Sequence, residues 1–175
     1  MKRREFIAGF AGAAAWPIVA RAEQAERMRR IGVLMPLAGD DPEAQARLAA
    51  FSQELKHLGW AEGHNLRIDT RQGAGDAARI REDATELAAL APNVILANGS
   101  ASVAALQLAA PTVPIVFVAV IDPVGAGFVE SMARPGGKAT GFTNYEYSIS
   151  GKWLEVLKEL APRLSRVGII RAIPP

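Results

Sequence analysis

The stretch that most constrains the fold of this chain is residues 114–129, PIVFVAVIDPVGAGFV. It contains seven consecutive apolar residues, Ile115–Ile121. An apolar run this short and this rich in β-branched residues predicts a strand buried on both faces, which is typical of parallel sheets. The run ends at Asp122-Pro123, where proline suits the first position of a helix and aspartate suits its N-cap. A carboxylate is therefore expected where a buried strand turns into a helix, and ligands of open α/β sheets bind outside such strand ends.

The rest of the chain alternates strand-like and helix-like segments. Strands are predicted at residues 30–35, 65–70, 93–97, 115–121, 139–143 and 166–170. Helices are predicted from the N-cap residues Asp41, Asp76, Ser100, Asp122 and Ser150 to the neighbourhood of Leu58, Ala91, Ala110, Ala133 and Ala161. Strands and helices in alternation, joined by short loops, predict an α/β fold of three layers, with a parallel sheet between two layers of helices.

The charge balance gives no support for nucleic acid or anionic membrane as a partner. The chain has 20 Lys and Arg against 18 Asp and Glu, a net charge of +2. Four of the bases and one of the acids lie in residues 1–22, so 16 bases and 17 acids remain after them. The chain also has no cysteine and only two histidines, which excludes disulfides, thiolate metal sites and a His-rich metal centre. No cofactor is expected.

Residues 1–22 have the organisation of an export signal. Lys2-Arg3-Arg4 forms a positive segment, residues 6–19 form an apolar segment, and Ala20-Arg21-Ala22 is a small-x-small cleavage site. The apolar segment is shorter than the roughly 20 residues of a membrane-spanning helix. Residues 3–7, RREFI, resemble the twin-arginine export motif, although Lys2 stands where that motif usually has Ser or Thr. An ordinary secretion signal is the alternative. Either route predicts a periplasmic protein, cleaved near Ala22 and without insertion in the membrane afterwards.

Four segments of the sequence together resemble one family. They are LKHLGWAEGHN at 55–65, PIVFVAVIDPVGAG at 114–127, ARPGGKATGFTN at 133–144 and GKWLEVLKELAP at 151–162. The chain resembles the substrate-binding proteins of ABC importers that have the type I periplasmic-binding-protein fold. The resemblance implies two lobes joined by hinge crossings, a sheet order of 2-1-3-4-5 in the first lobe, and a small organic ligand held between the lobes.

The resemblance also implies a division of the chain. Residues 23–145 are expected to form the first lobe, and the chain is expected to cross to the second lobe just after Asn144. Residues 146–175 then contain only the first helix and strand of an incomplete second lobe. That helix carries Trp153, Leu154, Leu157 and Leu160 on its inner face. A single strand cannot cover this face, so an exposed apolar patch is expected there.

The candidate ligand site lies just past the carboxyl ends of the predicted strands. The residues expected to bind the ligand are Pro36, Leu37, Gly99, Ser100, Ser102, Val120, Asp122, Asn144 and Tyr145. Gly99 and Ser100 offer a bare backbone, a hydroxyl and a helix N-terminus, which suits a ligand carboxylate. Ser102 adds a second hydroxyl. Ser100 is alternatively only a helix cap.

Asp122 suits a ligand ammonium group, which together with Ser100 would select an amino-acid-like zwitterion. Asp122 is alternatively only the N-cap of its own helix. Asn144 either binds ligand or shapes the hinge, and Tyr145 and Tyr147 either stack on the ligand or pack at the hinge. Trp60 and His64 lie in a turn at the opposite end of the strands and are expected to be structural or on the surface.

Three functions are compatible with an exported α/β chain. The first is a solute-binding protein without catalysis, which closes around a small molecule such as an amino acid and delivers it to the permease of an ABC importer. The second is an exported enzyme. The sequence has no GxGxxG, no P-loop and no GxSxG motif, and no histidine near the predicted crevice to activate a serine. The third is a single-lobe sensory or partner-binding module. The first function is the expectation.

Overall fold

The computed structural model describes residues 28–145 and 149–168. Five strands form one parallel sheet in the order β2-β1-β3-β4-β5, which confirms the predicted 2-1-3-4-5 order. The strands are β1 Arg29–Met35, β2 Leu66–Gln72, β3 Val94–Asn98, β4 Ile115–Ile121 and β5 Ala139–Tyr145. The helices are α1 Pro42–His57, α2 Ala77–Ala89, α3 Ser100–Ala109 and α4 Ile149–Leu160. The predicted export signal lies outside the described residues.

Two aspartates start their helices as the sequence predicts. The Asp41 carboxylate accepts hydrogen bonds from the backbone N–H groups of Glu43 at 2.7 Å and Ala44 at 3.3 Å. Asp76 accepts from Ala78 at 2.7 Å and Arg79 at 3.2 Å. The bonds from Arg79 and Ala78, which favour the ionised carboxylate, lower the pKa of Asp76. Both carboxylates satisfy N–H groups that have no partner inside their helices.

We expect Asp41→Ala to lower the free energy of unfolding by about 1 kcal/mol, the usual cost of losing a side-chain N-cap. Chemical unfolding in urea measures this difference. Asp40→Ala is the matched control, because Asp40 is an exposed aspartate one residue earlier and lies outside the cap. Equal losses in the two variants would contradict the capping role of Asp41.

One face of the sheet is covered by α2 over β1 and β2 and by α3 over β3 and β4. Every second residue of the central strands points to these helices, and Leu34, Ile95 and Phe117 are completely or almost completely buried there. The helices supply the opposing apolar surface from Ile80, Ala84, Leu87, Val103 and Leu106. Because α2 and α3 also pack against each other, this side forms the main hydrophobic core.

The opposite face is covered only in part. Helix α1 packs there on β1 through a smaller cluster of Val33, Met35 and Ala44. On β4 and β5 the same face exposes apolar side chains, with Val116 and Val118 half-buried and Phe142 71% exposed. The predicted helices on both faces are confirmed, but the described helices leave an open groove over β4 and β5.

The prediction of a helix directly after β4 is wrong. Residues 123–127 form consecutive turns, and residues 122–130 contain no α-helix. The Ala126 N–H donates to the Asp122 carbonyl at 2.9 Å, but the Phe128 N–H reaches back to the Pro123 carbonyl at 2.9 Å, which closes the turn. Gly125 and Gly127 disfavour a helix, and Gly127 has a left-handed φ of +75°. Asp122 nevertheless accepts a hydrogen bond from the Gly125 N–H at 2.9 Å, so it caps a turn.

The predictions of Ser100 and Ser150 as helix N-caps are also wrong. The N-cap of α3 is Gly99, whose φ of +80° makes the sharp turn out of β3, and Ser100 is the first residue of the helix. Helix α4 begins at Ile149, so Ser150 lies within its first turn. Gly99 adopts its positive φ without a steric penalty, because it has no Cβ. Helix α3 therefore starts one residue earlier than it would if Ser100 were the N-cap.

Helix α4 forms as predicted and exposes its apolar face. Trp153 is 59%, Leu154 40%, Leu157 38% and Leu160 79% exposed. This is the expected apolar patch, since no described sheet lies beneath it. A strand was predicted at 166–170. Residues 166–168 do not form one, and residues 169–170 are not among the residues that the structure describes. Within the described ranges, no helix has the length and apolar character needed to cross a membrane.

Candidate functional site

The loops after β1, β3 and β4 meet at the carboxyl edge of the sheet. The Gly99 N–H donates to the Val118 carbonyl at 2.9 Å, which ties the end of β3 to β4. A methyl group added at Gly99 would lie 3.6 Å from Cγ of Pro36, so the loop after β1 lies directly beside it. Pro36 and Leu37 are half-buried. The structure therefore brings Pro36, Leu37 and Gly99 together, as parallel strands require.

The N-terminus of α3 opens onto this edge. Among the described residues no side chain caps the helix, and its first backbone bond runs from the Val103 N–H to the Gly99 carbonyl at 3.3 Å. Ser100 is half-buried in the first turn, next to Gly99. A helix N-terminus combines backbone N–H groups with the positive end of the helix dipole. This arrangement suits an anionic group of a small molecule.

Two of the predicted site residues lie inside the fold. Ser102 and Val120 are both 0% exposed. The Ser102 hydroxyl has no hydrogen-bond partner within the described part of the chain. Val120 contributes its carbonyl oxygen, which accepts a hydrogen bond from the Thr143 hydroxyl at 2.9 Å. The side chains of Ser102 and Val120 therefore lie in the interior next to the carboxyl edge and are not exposed on it.

The other predicted residues lie at the ends of β4 and β5. Asp122 is half-buried, and its carboxylate is held against its own turn by the Gly125 N–H. Asn144 is exposed near the end of β5. Tyr145 pairs with Ile121 in the β4–β5 register. The ends of these two strands are therefore adjacent.

The pairing of β4 with β5 is irregular where it approaches the edge. The register shifts between Phe117 and Val120 and again between Val120 and Ile121. Ala119 has a φ of +55° and Asp122 a φ of +46°, a region that residues other than glycine rarely adopt. Bulges and strained residues of this kind are over-represented next to functional sites. The sequence contains no signal for this bulge, because neither residue is a glycine.

A polar group that the sequence analysis missed lies where β3 ends. Asn98 is 7% exposed, and its side-chain oxygen accepts a hydrogen bond from the Arg47 guanidinium at 3.2 Å. Arg47 also forms an ion pair with Glu43 one turn earlier on α1. Asn98 directly precedes Gly99 in the sequence, and this position indicates that Asn98 lies near the carboxyl edge of the sheet. Nothing in the sequence indicated that Arg47 would reach it, because that depends on how α1 packs.

Arg47, Asn98 and Asn144 form the polar end of the open groove, a cavity of about 510 Å³. We call it the sheet groove. Its apolar lining consists of Val33, Met35, Leu48, Phe51, Leu96, Val116, Val118, Ala119 and Phe142. The groove runs from the carboxyl edge along the face of the sheet that α1 covers only in part. It shares Asn144 with the candidate site, and most of its lining is apolar.

Trp60 and His64 lie away from the site, as expected. The Trp60 N–H donates to the Leu55 carbonyl at 2.9 Å and the His64 N–H to the Ala61 carbonyl at 3.1 Å, in the turn that precedes β2. Both residues are exposed at the amino end of that strand. Among the described residues, no group of three or more histidine and acidic side chains is arranged to hold a metal ion.

Three comparisons with known proteins found similar sequences and folds. A family model described as "ABC transporter substrate binding protein" matches residues 30–172. A curated relative, the "Tyrosine-binding protein" of Clostridioides difficile (strain R20291), is 30% identical over 145 residues. That match covers 83% of this chain and 41% of the relative.

Two solved structures share both fold and sequence with the chain. The first is a conserved domain protein from Vibrio cholerae, with a TM-score of 0.68, 29% identity, and coverage of 78% of this chain and 45% of that one. The second is a ligand-free, open structure of a substrate-binding protein with adhesive properties from Clostridium difficile. Its TM-score is 0.65 at 29% identity, with coverage of 78% and 45%. The chain thus spans less than half the length of these relatives.

Proposed function

This chain belongs to the family of ABC transporter substrate-binding proteins, and from that premise we propose that it forms the first ligand-binding lobe of an exported solute receptor. The family binds substrates and is not enzymatic, so the residues of the site orient a solute and do not react with it. We propose residues 23–145 as the first lobe and residues 146–175 as the start of a second. In such a receptor, a ligand held between the lobes stabilises their closed arrangement, which a membrane permease then recognises.

The observation that carries the proposal is the uncapped N-terminus of α3 at the carboxyl edge. Gly99 leaves the first turn of α3 without a capping side chain, and Ser100 lies in that turn. We assign the carboxylate of the solute to this turn, where backbone N–H groups and the helix dipole favour a negative charge. Pro36 and Leu37 would supply the apolar contact beside it.

The solute class proposed is an amino acid, with an aromatic one as the first choice. The relative named a tyrosine-binding protein supports this class, at 30% identity. Asp122 would accept a hydrogen bond from the solute ammonium group with the carboxylate oxygens that its own turn leaves available. Asn144 and Tyr145 would contact the rest of the solute from β5. Val120 and Ser102 would hold these groups in place from the interior.

Export is proposed from the first 22 residues. The positive segment, the apolar segment and the small-x-small site predict cleavage near Ala22 and a periplasmic location. The permease of an ABC importer is the proposed partner of the complete two-lobed receptor. The twin-arginine-like residues 3–7 make the twin-arginine route the proposed one.

We expect this chain to bind L-tyrosine weakly, with a dissociation constant on the order of millimolar, because one lobe provides only part of the contacts and cannot exclude water. Titration of the isotopically labelled chain, followed by amide NMR shifts, measures this. The shifts are expected at Leu37, Gly99 and Ser100. Ser100→Ala should reduce the affinity several-fold, because it removes one hydrogen bond to a charged group.

Two controls make this titration specific. Ser52→Ala changes an exposed serine on α1 away from the edge and should leave the affinity unchanged. Tyramine, which has the phenol and the amine of tyrosine but no carboxylate, should bind at least tenfold more weakly. Equal binding of tyramine would contradict the carboxylate assignment at α3. Absence of any shift at the carboxyl edge with tyrosine, tryptophan and phenylalanine would contradict the proposed solute class.

A further inference from the structure

Asn98 is a buried polar side chain with donors that no described residue uses. It is the last residue of β3 and is 7% exposed. Within residues 28–145 and 149–168, its side chain makes one hydrogen bond, which its oxygen accepts from Arg47 at 3.2 Å. The N–H2 group of the amide donates to none of these residues. Because buried amides normally have their donors paired, this N–H2 group is available to a ligand.

The contact with Arg47 determines which way the amide points. A guanidinium carries only donors, so the atom of Asn98 that faces it must be the oxygen. A half-turn of the side chain would exchange oxygen and nitrogen, and Arg47 excludes that orientation. The ion pair of Arg47 with Glu43, one turn earlier on α1, holds the guanidinium in turn. The N–H2 group of Asn98 is therefore directed away from Arg47.

The amide lies next to the candidate site. Asn98 directly precedes Gly99, and it lines the polar end of the sheet groove together with Asn144. Its backbone is fixed by the sheet, since Asn98 pairs with Val118 in the β3–β4 register. The described residues already bury its side chain almost completely. The position of Asn98 therefore does not depend on whatever lies over the uncovered part of the sheet.

The face on which Asn98 lies decides which group of a solute it can contact. Successive side chains of a strand point to opposite faces of the sheet. Ala97 belongs to the main core beneath α2 and α3, so Asn98 points to the face of α1, where Arg47 meets it. The solute carboxylate is assigned to the first turn of α3, which lies on the other face. Asn98 therefore contacts a different part of the solute, and its N–H2 group requires a hydrogen-bond acceptor there.

We propose that Asn98 is a specificity-determining residue that donates a hydrogen bond to an oxygen on the side chain of the solute, and that Arg47 is its positioning residue. The inference rests on the proposed function, because it concerns a second group of the same solute. Tyrosine carries an oxygen at the end of its side chain, and phenylalanine does not. A buried donor disfavours the solute that lacks the acceptor, because the donor is then left without a partner. The chain therefore prefers L-tyrosine to L-phenylalanine.

Titration of the isotopically labelled chain with the two amino acids tests the role of Asn98. L-Tyrosine should bind about threefold to tenfold more tightly than L-phenylalanine, which is the effect of one hydrogen bond. The side-chain N–H2 signals of Asn98 are identified by their loss in the Asn98→Leu variant. They should shift with L-tyrosine and stay unchanged with L-phenylalanine. Asn98→Leu keeps the shape of the side chain without its donors, so it should bind the two amino acids equally.

The positioning role of Arg47 is tested through the same preference. Arg47→Lys keeps a group that donates and cannot accept, so it should retain the preference for L-tyrosine. Arg47→Met keeps an apolar stem without a donor. The amide can then turn, so the preference should be lost while the affinity for L-phenylalanine stays unchanged. Arg67→Met is the control, because Arg67 is exposed near the amino end of β2, and it should retain the preference.

Four results would overturn the inference. Equal affinity for the two amino acids, with shifts at Gly99 and Ser100, would remove the role of Asn98 and leave the proposed function intact. A preference that survives in Asn98→Leu would assign the selection to another residue. Equal loss of both affinities in Arg47→Met would make Arg47 merely structural. Absence of shifts at the carboxyl edge with either amino acid would overturn the proposed function as well. Far-ultraviolet circular dichroism establishes that each variant is folded, so a lost preference reflects the site.

Discussion

Replacing Gly141 with alanine is expected to break the pairing between β4 and β5 and to cost at least about 3 kcal/mol of unfolding free energy. A Cβ atom at this position would lie 2.0 Å from the carbonyl oxygen of Phe117. That oxygen belongs to the backbone of β4, so no change of rotamer relieves the clash. The two strands would have to separate near the bulge at Ala119, and Asn144 on β5 would move away from the carboxyl edge.

Urea unfolding of the Gly141→Ala variant measures the loss, and Gly137→Ala is its control. Gly137 lies just before β5, and a Cβ added there would meet no atom within 4 Å. The control should therefore remain within about 0.5 kcal/mol of the unmodified chain. If Gly141→Ala also remained within 1 kcal/mol, the close contact between β4 and β5 would be contradicted.

The Leu106→Ala variant is expected to lose about 2–5 kcal/mol, the range for removing a buried leucine side chain. Leu106 is 0% exposed and belongs to the main core between α3 and the sheet. The loss combines the transfer of the missing methyl groups with the cavity that remains, because the packed neighbours relax only in part. Since α3 carries Gly99 and Ser100 at its start, looser packing of α3 should also weaken binding at the carboxyl edge.

Leu108→Ala is a closely matched control for this experiment. Leu108 lies two residues further along the same helix and is 82% exposed. The substitution and the helix are the same, so intrinsic helix propensity cancels and only burial differs. We expect a change within about 0.5 kcal/mol for Leu108→Ala, measured by the same urea unfolding. Similar losses at both positions would contradict the packing of α3 on the sheet.

The five strands of the sheet followed from the sequence because buried parallel strands are short apolar runs separated by helices. Ile115–Ile121 matches its predicted bounds, and the other four strands of the sheet differ by one or two residues at their ends. The sheet order itself came from the family resemblance, and the structure confirms it. The same Asp-Pro pattern predicted a helix correctly at Asp41 and wrongly at Asp122. After Asp122, the two glycines at 125 and 127 destabilise a helix by more than an N-cap would stabilise it. An N-cap contributes about 1 kcal/mol, and each interior glycine costs a similar amount.

The sequence predicted which strand ends meet at the carboxyl edge, but not every residue that lies there. Pro36, Gly99 and Asp122 follow strands directly in the sequence, so the topology of a parallel sheet brings them to one edge. Ser102 and Val120 are close to that edge in sequence, yet they point into the interior. Arg47 reaches Asn98 from the middle of α1 across 51 residues of sequence. That contact depends on the angle at which α1 packs, which no local pattern specifies.

The sequence alone determined the five strands of the sheet, the two aspartate caps and the strand ends at which a solute is expected. These depend on local periodicity and on hydrogen bonds within a few residues. Only the tertiary structure decided that Ala119 and Asp122 take left-handed conformations and that Arg47 and Asn98 meet. It also decided that none of the described helices covers β4 and β5 on one face. The reason is physical: strain, pairing and uncovered surface are properties of elements packed together, and their energies depend on neighbours that lie far apart along the chain.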